Sequence, residues 1–201
     1  MAAPRCADAQ LPPIAVFDLD FTLWPLDVDC SATPFKPAAG GVALSADGAR
    51  LAPFPEAPTS LARLYDAGVR IAFASRTHDP EAAESLLKLL PLPSQRPGLS
   101  LWDALRGERG LFQAYPSRGG RAKAEHFAKI AAASGEPLSA MLFFDDMRDN
   151  IAHAERQGTV SVHIGAEGLT TAKLEEGLAR WRGRQGGGGG GSGGGGAKAP
   201  G

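Results

Sequence analysis

The stretch that decides the fold is Ile14-Ala15-Val16-Phe17-Asp18-Leu19-Asp20-Phe21-Thr22-Leu23. It joins four apolar residues to a pair of carboxylates, and a second stretch repeats the pattern as Met141-Leu142-Phe143-Phe144-Asp145-Asp146. Short runs that are apolar throughout are typical of strands buried on both faces of a parallel sheet. Because parallel strands end on the same edge, we expect the two acidic pairs to meet at the rim where such sheets bind ligands.

Four carboxylates gathered at one edge have a direct chemical consequence. They repel one another and stay ionised only if a cation lies among them. Since all the available ligand atoms are oxygens, Mg²⁺ is the leading candidate for that cation. A magnesium ion held by carboxylates at a sheet edge points to phosphate chemistry.

Length and composition are those of one ordinary globular domain. The chain has 201 residues, of which 43% are hydrophobic and 21% are charged, and its net charge is −1. That balance provides no broad attraction for nucleic acid or an anionic membrane, so we expect neither as a partner. Two cysteines, Cys6 and Cys30, are too few for a disulfide framework or a cysteine zinc site. Residues 1–13 contain no apolar signal-peptide core, so we expect a cytoplasmic location. We also expect a monomer.

We predict one domain over residues 11–183 and a disordered Gly-rich tail over residues 184–201, because glycine buries no apolar area there. Strands alternate with helices in the domain, which predicts an α/β fold whose parallel sheet is flanked by helices. The predicted strands are residues 14–17, 69–74, 111–115, 142–144 and 160–164. The predicted helices are residues 59–67, 80–90, 121–133, 148–157 and 170–182.

Two segments interrupt this alternation. The segment that precedes residue 58 is rich in Pro, Gly and Ala and predicts a short hairpin, residues 42–44 with 50–52, around the turn dipeptide Asp47-Gly48. It is too small for a lid domain, so we predict a minimal cap and a site that is open to solvent and to bulky substrates. Residues 91–110 are predicted to be irregular, with one helical turn at 101–105.

An Asp-x-Asp motif alone is a weak signal, because strand-end aspartates often only cap the next turn. Here the motif lies in the longer run Val16-Phe17-Asp18-Leu19-Asp20-Phe21-Thr22-Leu23-Trp24-Pro25. Three further motifs follow in order: Ala74-Ser75-Arg76-Thr77, Lys123, and Phe143-Phe144-Asp145-Asp146 with Asn150-Ile151. This set resembles the haloacid dehalogenase superfamily. The Trp-Pro pair resembles more narrowly the magnesium-dependent phosphatase-1 family, and the resemblance covers about residues 11–181.

The resemblance implies a Rossmann-like fold of the haloacid dehalogenase type and a Mg²⁺-dependent phosphomonoester hydrolase. Chemically, Asp18 can attack phosphorus in line and form an aspartyl-phosphate. Asp20 can protonate the leaving oxygen and later deprotonate water, provided that it is near neutral when needed. The family implies the same two roles. It also implies a metal held by the Asp18 side chain, the Asp20 main-chain carbonyl and the late acidic pair, where we favour Asp146 over Asp145.

Ser75 and Lys123 are further candidate catalytic residues. The Ser75 hydroxyl and the nearby amides can hold a phosphoryl oxygen, or the serine only caps its loop. Lys123 can neutralise the phosphoryl group and temper the repulsion among the acids. Arg121 is a rival for this role, and we choose Lys123 because its spacing to His126-Phe127 matches the family pattern. Residues 91–120 form a longer connection than the family's usual one.

Two residues are candidates for substrate binding. Arg76 resembles the arginine of the family's Ser-Arg-Thr motif and can bind substrate bidentately, although a structural ion pair is an equal alternative. Trp24 either lines the site entrance, which we favour, or packs in the core.

The expected substrate is a phosphomonoester. The resemblance implies a range that includes phosphotyrosine and fructosamine phosphates, and we rank protein phosphotyrosine and sugar phosphates close together. A binding or scaffold protein that has lost catalysis is the alternative, although none of the key acids is missing. Action on nucleic-acid ends would require a basic stripe with aromatic residues, and Arg118, Arg121 and Lys123 form only a small cluster.

Overall fold

The computed structural model describes residues 11–117 and 123–186. The strands in these ranges are β1 (Ile14–Phe17), β2 (Lys36–Ala38), β3 (Val42–Leu44), β4 (Arg50–Leu51), β5 (Arg70–Ser75), β6 (Pro91–Leu92), β7 (Leu99–Ser100), β8 (Phe112–Ala114), β9 (Met141–Asp145) and β10 (Val160–His163). The helices are α1 (Ala57–Asp66), α2 (Pro80–Leu89), α3 (Ala124–Ser134), α4 (Arg148–Arg156) and α5 (Thr171–Gly186). No helix in the described ranges is both long and apolar enough to cross a membrane.

Five strands form the central sheet in the order β10-β9-β1-β5-β8, and every neighbouring pair is parallel. The central strands β1 and β9 are buried along their whole length, which explains why both are apolar on each face. Helices α1 and α3 contact β5, whereas α4 and α5 contact β9 and β10. The predicted α/β fold, a parallel sheet flanked by helices, is confirmed.

The register of the sheet brings the strand ends level with one another. Phe17 pairs with Phe73 of β5 on one side and with Phe144 of β9 on the other. The Phe17 and Phe144 rings stack with centroids 5.0 Å apart, and the Asp18 N–H donates to the Phe144 carbonyl at 3.0 Å. Asp18 therefore continues the ladder by one residue and lies beside the end of β9.

Outside the central sheet, the short strands β2, β3 and β4 form an antiparallel sheet. The hairpin of β3 and β4 confirms the prediction, and the three strands constitute the minimal cap. The sequence does not predict β2, because Lys36-Pro37-Ala38 contains a proline and no apolar alternation. Strands β6 and β7 pair within the segment that was predicted to be irregular, and the predicted turn at 101–105 is a 3-10 helix.

The helices agree with the predictions apart from their ends. The start of α2 is confirmed, since the Asp79 side chain accepts the Ala82 N–H at 2.8 Å. Helix α5 extends past the predicted start of the tail at residue 184, because it continues to Gly186 and the Arg184 guanidinium donates to the Gly158 carbonyl. The rest of the predicted tail, residues 187–201, lies outside the described residues, and so do Arg118 and Arg121.

Candidate active site

Three carboxylates meet at the carboxyl edge of the sheet, as predicted from the two acidic pairs. One oxygen atom from each of Asp18, Asp145 and Asp146 lies within 4.8 Å of the others. Asp18 and Asp145 are buried, and Asp146 is half-buried on the wall of a cavity of about 440 Å³. The parallel register places these acids together although more than 120 residues of chain separate them.

Lys123 is the cation that faces this cluster. Its Nζ lies 2.6 Å from Asp18 Oδ1 and 2.7 Å from Asp145 Oδ2, and the side chain is only 2% exposed. Lys123, the basic residue preferred from the sequence, thus lies against the acids. The other candidate, Arg121, lies outside the described residues. Because one ammonium faces three carboxylates, the cluster keeps an excess of negative charge.

The pKa values of the cluster reflect this excess charge. Burial raises the pKa of Asp18 well above its ordinary value; Lys123 opposes that effect and Asp145 adds to it. Burial and the neighbouring Asp145 likewise raise the pKa of Asp146. Ionised Asp18 and Asp146 therefore need additional positive charge. An all-oxygen donor set with a surplus of negative charge fits a hard divalent cation such as Mg²⁺.

The two members of the late acidic pair differ in their surroundings. Asp145 accepts the Met147 N–H at 2.7 Å and the Asn150 side-chain amide at 2.9 and 3.0 Å, in addition to its ion pair with Lys123. Asp146 instead lines the cavity. Of the two, Asp146 is therefore the carboxylate that is open to the cavity.

Asp20 faces the same cavity as Asp18 because the chain turns sharply after Asp18. The N–H groups of Thr22 and Leu23 both donate to the Leu19 carbonyl, at 3.1 and 2.7 Å. Phe21 adopts a left-handed φ of 56°, a backbone conformation that is strained for a residue with a bulky side chain. Burial raises the pKa of Asp20 to about 6.

Trp24 lies beneath the site and not at its entrance. The side chain is completely buried, and its Nε1–H donates to Asp20 Oδ1 at 2.7 Å. The expectation that Trp24 lines the entrance is therefore wrong, and the alternative of core packing is correct. The indole positions Asp20 instead, together with the Val28 N–H, which donates to the same carboxylate oxygen at 3.2 Å.

Ser75 ends β5 and lines the cavity. Its hydroxyl accepts the Thr77 N–H at 3.2 Å, so the serine does shape its loop while it faces the site. Arg76 also lines the cavity, where its guanidinium contacts the Met147 sulfur. Within the described residues Arg76 forms no ion pair, so the structural alternative for this side chain receives no support.

His126 is a buried residue that contacts the end of β5, and the sequence analysis assigned it no role at the site. Its Nε2 lies 2.9 Å from the Ser75 carbonyl and 3.0 Å from the Tyr115 carbonyl. Burial, reinforced by the charge of Lys123, lowers the pKa of His126 to about 4, so the ring is neutral and Nε2 carries the donated proton. Its position three residues after Lys123, on the first turn of α3, is the only signal for this role that the sequence contains.

Two exposed apolar side chains lie at the rim of the cavity beside polar ones. Phe21 and Met147 are 46% and 39% exposed and are the exposed large hydrophobic residues of the described chain. Both line the cavity, as do Asp29, Thr77 and His78. The sequence analysis did not predict a role for any of these rim residues.

Comparison with known proteins agrees with this architecture. A family model described as Acid Phosphatase matches residues 10–184. The chain is 35% identical over 180 residues to human Magnesium-dependent phosphatase 1, covering 89% of this chain and 92% of that protein. It is 33% identical over 155 residues to a HAD-like hydrolase superfamily protein of Schizosaccharomyces pombe, covering 74% of this chain and 83% of that protein.

A solved structure supports the fold alone, because the sequence identity is only 16%. It is the N-terminal part of a Bacteroides fragilis protein, containing a phosphatase domain complexed with Mg; the match has a TM-score of 0.55 and covers 87% of this chain and 41% of that chain. The resemblance stated from the motifs is thereby confirmed. The chain belongs to the Acid Phosphatase family, within the haloacid dehalogenase-like hydrolases.

Proposed function

We propose that the protein is a Mg²⁺-dependent phosphomonoester hydrolase whose nucleophile is Asp18. The observation that carries the proposal is the cluster of Asp18, Asp145 and Asp146, whose oxygens lie within 4.8 Å of one another at the edge of the sheet. The name of the human relative and the Mg-complexed phosphatase domain of the Bacteroides protein support the same chemistry. The open cavity above the cluster provides room for a substrate.

The metal site in this proposal uses the Asp18 and Asp146 carboxylates and the Asp20 main-chain carbonyl. Asp145 is held by Lys123, Asn150 and the Met147 N–H, so its role is to fix the position of Lys123 beside Asp18. When bound, Mg²⁺ supplies positive charge that screens the phosphoryl oxygens from the carboxylates.

Hydrolysis proceeds in two displacement steps. The Asp18 carboxylate, oriented by the Leu19 N–H at 2.8 Å and by Lys123, attacks phosphorus and forms an aspartyl-phosphate while the bond from phosphorus to the leaving oxygen breaks. Asp20 donates a proton to that oxygen, since its pKa of about 6 keeps part of the population protonated near neutral pH. The Asp20 carboxylate then accepts a proton from water as the water attacks phosphorus, which frees Asp18 and releases phosphate.

The phosphoryl oxygens that do not react are held at the carboxyl end of β5 and at the start of α3. The Ser75 hydroxyl and the amides that follow it provide hydrogen-bond donors, and Lys123 and Arg76 provide positive charge. Such donors are most effective when they are fixed before the reaction. The bonds from the neutral His126 to the Ser75 and Tyr115 carbonyls support this fixed arrangement.

For the substrate we propose protein phosphotyrosine, sugar (fructosamine) phosphates, or both. The exposed Phe21 and Met147 on the rim favour an aromatic leaving group. The width of the cavity and the minimal cap also admit a polar sugar phosphate. The cytoplasmic location and the monomeric state stay predictions from the sequence.

The test is hydrolysis of p-nitrophenyl phosphate with and without Mg²⁺. We expect EDTA to abolish turnover reversibly and Asp18→Asn to lower kcat by roughly 10⁴-fold or more without unfolding the protein. Asp47→Asn, at an exposed aspartate of the distant hairpin, is the matched control and should retain full activity. Retained hydrolysis in Asp18→Asn would remove the nucleophile assignment, and an inactive wild type that binds phosphate esters would support the scaffold alternative.

A panel of substrates then separates the two substrate classes. We expect kcat/KM for phosphotyrosine peptides to exceed that for phosphoserine peptides, because a short aliphatic side chain does not reach the apolar rim. A sugar phosphate with a kcat/KM as high as that of the phosphotyrosine peptides would place the second substrate class beside the first. Equal values for all three would show that the rim does not select the leaving group.

A further inference from the structure

Asp29 lines the cavity from the 3-10 helix Val28–Cys30. The Val28 N–H donates to the Asp20 carboxylate at 3.2 Å. The next residue, Asp29, directs its carboxylate to the opposite side, towards the loop that follows β5. Two adjacent residues of one turn thus hold the proposed acid–base residue and the phosphoryl-binding loop.

The contacts of Asp29 with that loop are numerous. Its carboxylate accepts the His78 N–H at 3.0 Å, the Asp79 N–H at 3.2 Å and the hydroxyl proton of Thr77, and it lies 3.1 Å from His78 Nδ1. Burial acts to raise the pKa of Asp29, but the bonds from Thr77 and His78 outweigh burial and hold the pKa below its ordinary value. The carboxylate is therefore ionised and committed to a loop about fifty residues away in sequence.

The loop that Asp29 holds carries the phosphoryl-binding groups. Thr77 is the connecting residue, because its N–H donates to the Ser75 hydroxyl at 3.2 Å while its own hydroxyl donates to Asp29. The Thr77 hydroxyl also accepts the Asp79 N–H at 2.9 Å. The orientation of Ser75 thus depends on Asp29 through Thr77.

We infer that Asp29 is a positioning residue that fixes the Ser75–Thr77 loop relative to Asp20. The inference rests on the proposed phosphatase function. Asp29 acts through Thr77 and the loop amides, and its carboxylate oxygens are occupied by these donors. Without the Asp29 carboxylate the loop loses four polar contacts, and Ser75 and Arg76 no longer meet the phosphoryl group in one fixed arrangement.

The effect of this positioning role on KM differs in sign from the effect of the Asp29 charge. Asp29 is a negative group on the wall of a site for an anionic substrate, so removing its charge should by itself tighten substrate binding and lower KM. Loss of positioning acts in the opposite direction and raises KM. The sign of the change in KM therefore distinguishes the two effects.

The test compares Asp29→Asn with Asp27→Asn in p-nitrophenyl phosphate hydrolysis at saturating Mg²⁺. Asp27 lines the same cavity, and its carboxylate accepts the Asp29 N–H at 3.0 Å. The amide oxygen of Asp27→Asn can accept the same N–H, so this variant removes the charge without removing a bond to the loop after β5. We expect Asp29→Asn to raise KM by about tenfold, the usual effect of losing a hydrogen bond to a charged group. Asp27→Asn should leave KM unchanged or lower it.

Two further measurements keep the inference falsifiable if Asp29→Asn folds poorly. Thr77→Val removes the hydroxyl bond to Asp29 but keeps the bonds from the His78 and Asp79 N–H groups, so it should raise KM by a smaller factor than Asp29→Asn does. The double variant of Asp29→Asn and Thr77→Val should have the same KM as Asp29→Asn alone. Amide hydrogen exchange at His78 and Asp79 should be faster in Asp29→Asn than in the wild type. A KM that is unchanged or lower in both Asp29→Asn and Thr77→Val overturns the positioning role alone. A wild type without Mg²⁺-dependent hydrolysis overturns the proposed function, and the positioning role with it.

Discussion

The floor and the rim of the cavity are built in different ways. The floor consists of Asp18 and Lys123 together with Asp145, which is paired to Lys123 without lining the cavity; all three are buried and extend from strand ends and a helix start. The rim contains Phe21, which lies in a turn, and Met147, which lies at the N-cap of α4, and both are exposed. Strand register fixes the floor, whereas only local turn geometry fixes the rim.

We therefore expect the floor to determine the rate of the reaction and the rim to determine which substrates are preferred. Buried charges with fixed partners require little reorganisation during a reaction, so they can stabilise a transition state strongly. Exposed apolar groups in turns contribute modest contact energy and can adapt to different leaving groups. Substitutions in the floor should therefore affect rate and stability strongly, and substitutions in the rim should affect mainly substrate preference.

The largest expected effect follows from removing the floor cation by Lys123→Met. Asp18 and Asp145 would lose their shared partner, so we expect about 3–5 kcal/mol less stability and a kcat lower by about 10²–10³-fold. Mg²⁺ should restore part of the stability, since it neutralises the same carboxylates. Denaturant unfolding with and without Mg²⁺ measures this, with Lys129→Met, an exposed lysine of the same helix, as the control. A Lys123→Met variant as stable as the wild type would show that the floor is not held by charge.

An intermediate effect concerns Asp20, which links the floor to the rim. Its pKa of about 6 lies above the ordinary value of 3.8. As the proton donor it must be protonated, so kcat/KM should fall as the pH rises through about 6. The contribution of Asp20 to stability has the same sign: it is fully present below pH 3.8 and is lost as the pH rises through about 6.

Trp24→Phe sharpens this prediction. The indole hydrogen bond lowers the pKa of Asp20, so its loss should move the descending limb of the pH–rate profile to higher pH. In Asp20→Asn the limb should disappear when dinitrophenyl phosphate is the substrate, since that leaving group needs no proton. A limb that persists unchanged in Asp20→Asn would assign it to another group.

The smallest effect is expected at the rim. Met147→Ala removes an exposed apolar side chain and should raise KM for aryl phosphates by about three- to tenfold, while KM for a sugar phosphate stays within twofold, values expected from the burial of a few methylene groups. Parallel steady-state assays of the two substrates measure the ratio. An equal change for both would mean that Met147 contacts the phosphoryl group and not the leaving group, which would remove the distinction between floor and rim.

The same difference explains how much could be predicted from the sequence. The floor was predictable, because apolar strands followed by acids imply parallel strand ends that meet at one edge, as Asp18 and Asp146 do. Motif order predicted Ser75 and Lys123 as candidates. Residues along a strand are evenly spaced, and parallel strands end at the same edge of the sheet. The position of an acid at the end of a strand therefore follows from its place in the sequence.

The rim could not be predicted for physical reasons. A single left-handed residue, Phe21, decides which side chains of the first turn face the cavity, and a sequence does not reveal it. The motif therefore does not show that Trp24 is buried and does not line the entrance. The bonds of Asp29 with Thr77, and of His126 with the Ser75 carbonyl, join segments about fifty residues apart that have no shared periodicity.

The most direct test of the central claim is a crystal structure with Mg²⁺ and beryllium fluoride, which mimics a phosphoryl group on a carboxylate. The account predicts the fluoride adduct on Asp18, with the metal bound by Asp18, Asp146 and the Asp20 carbonyl and with Asp145 still paired to Lys123. A metal bound away from Asp18 and Asp146, or an adduct on any other side chain, would contradict it.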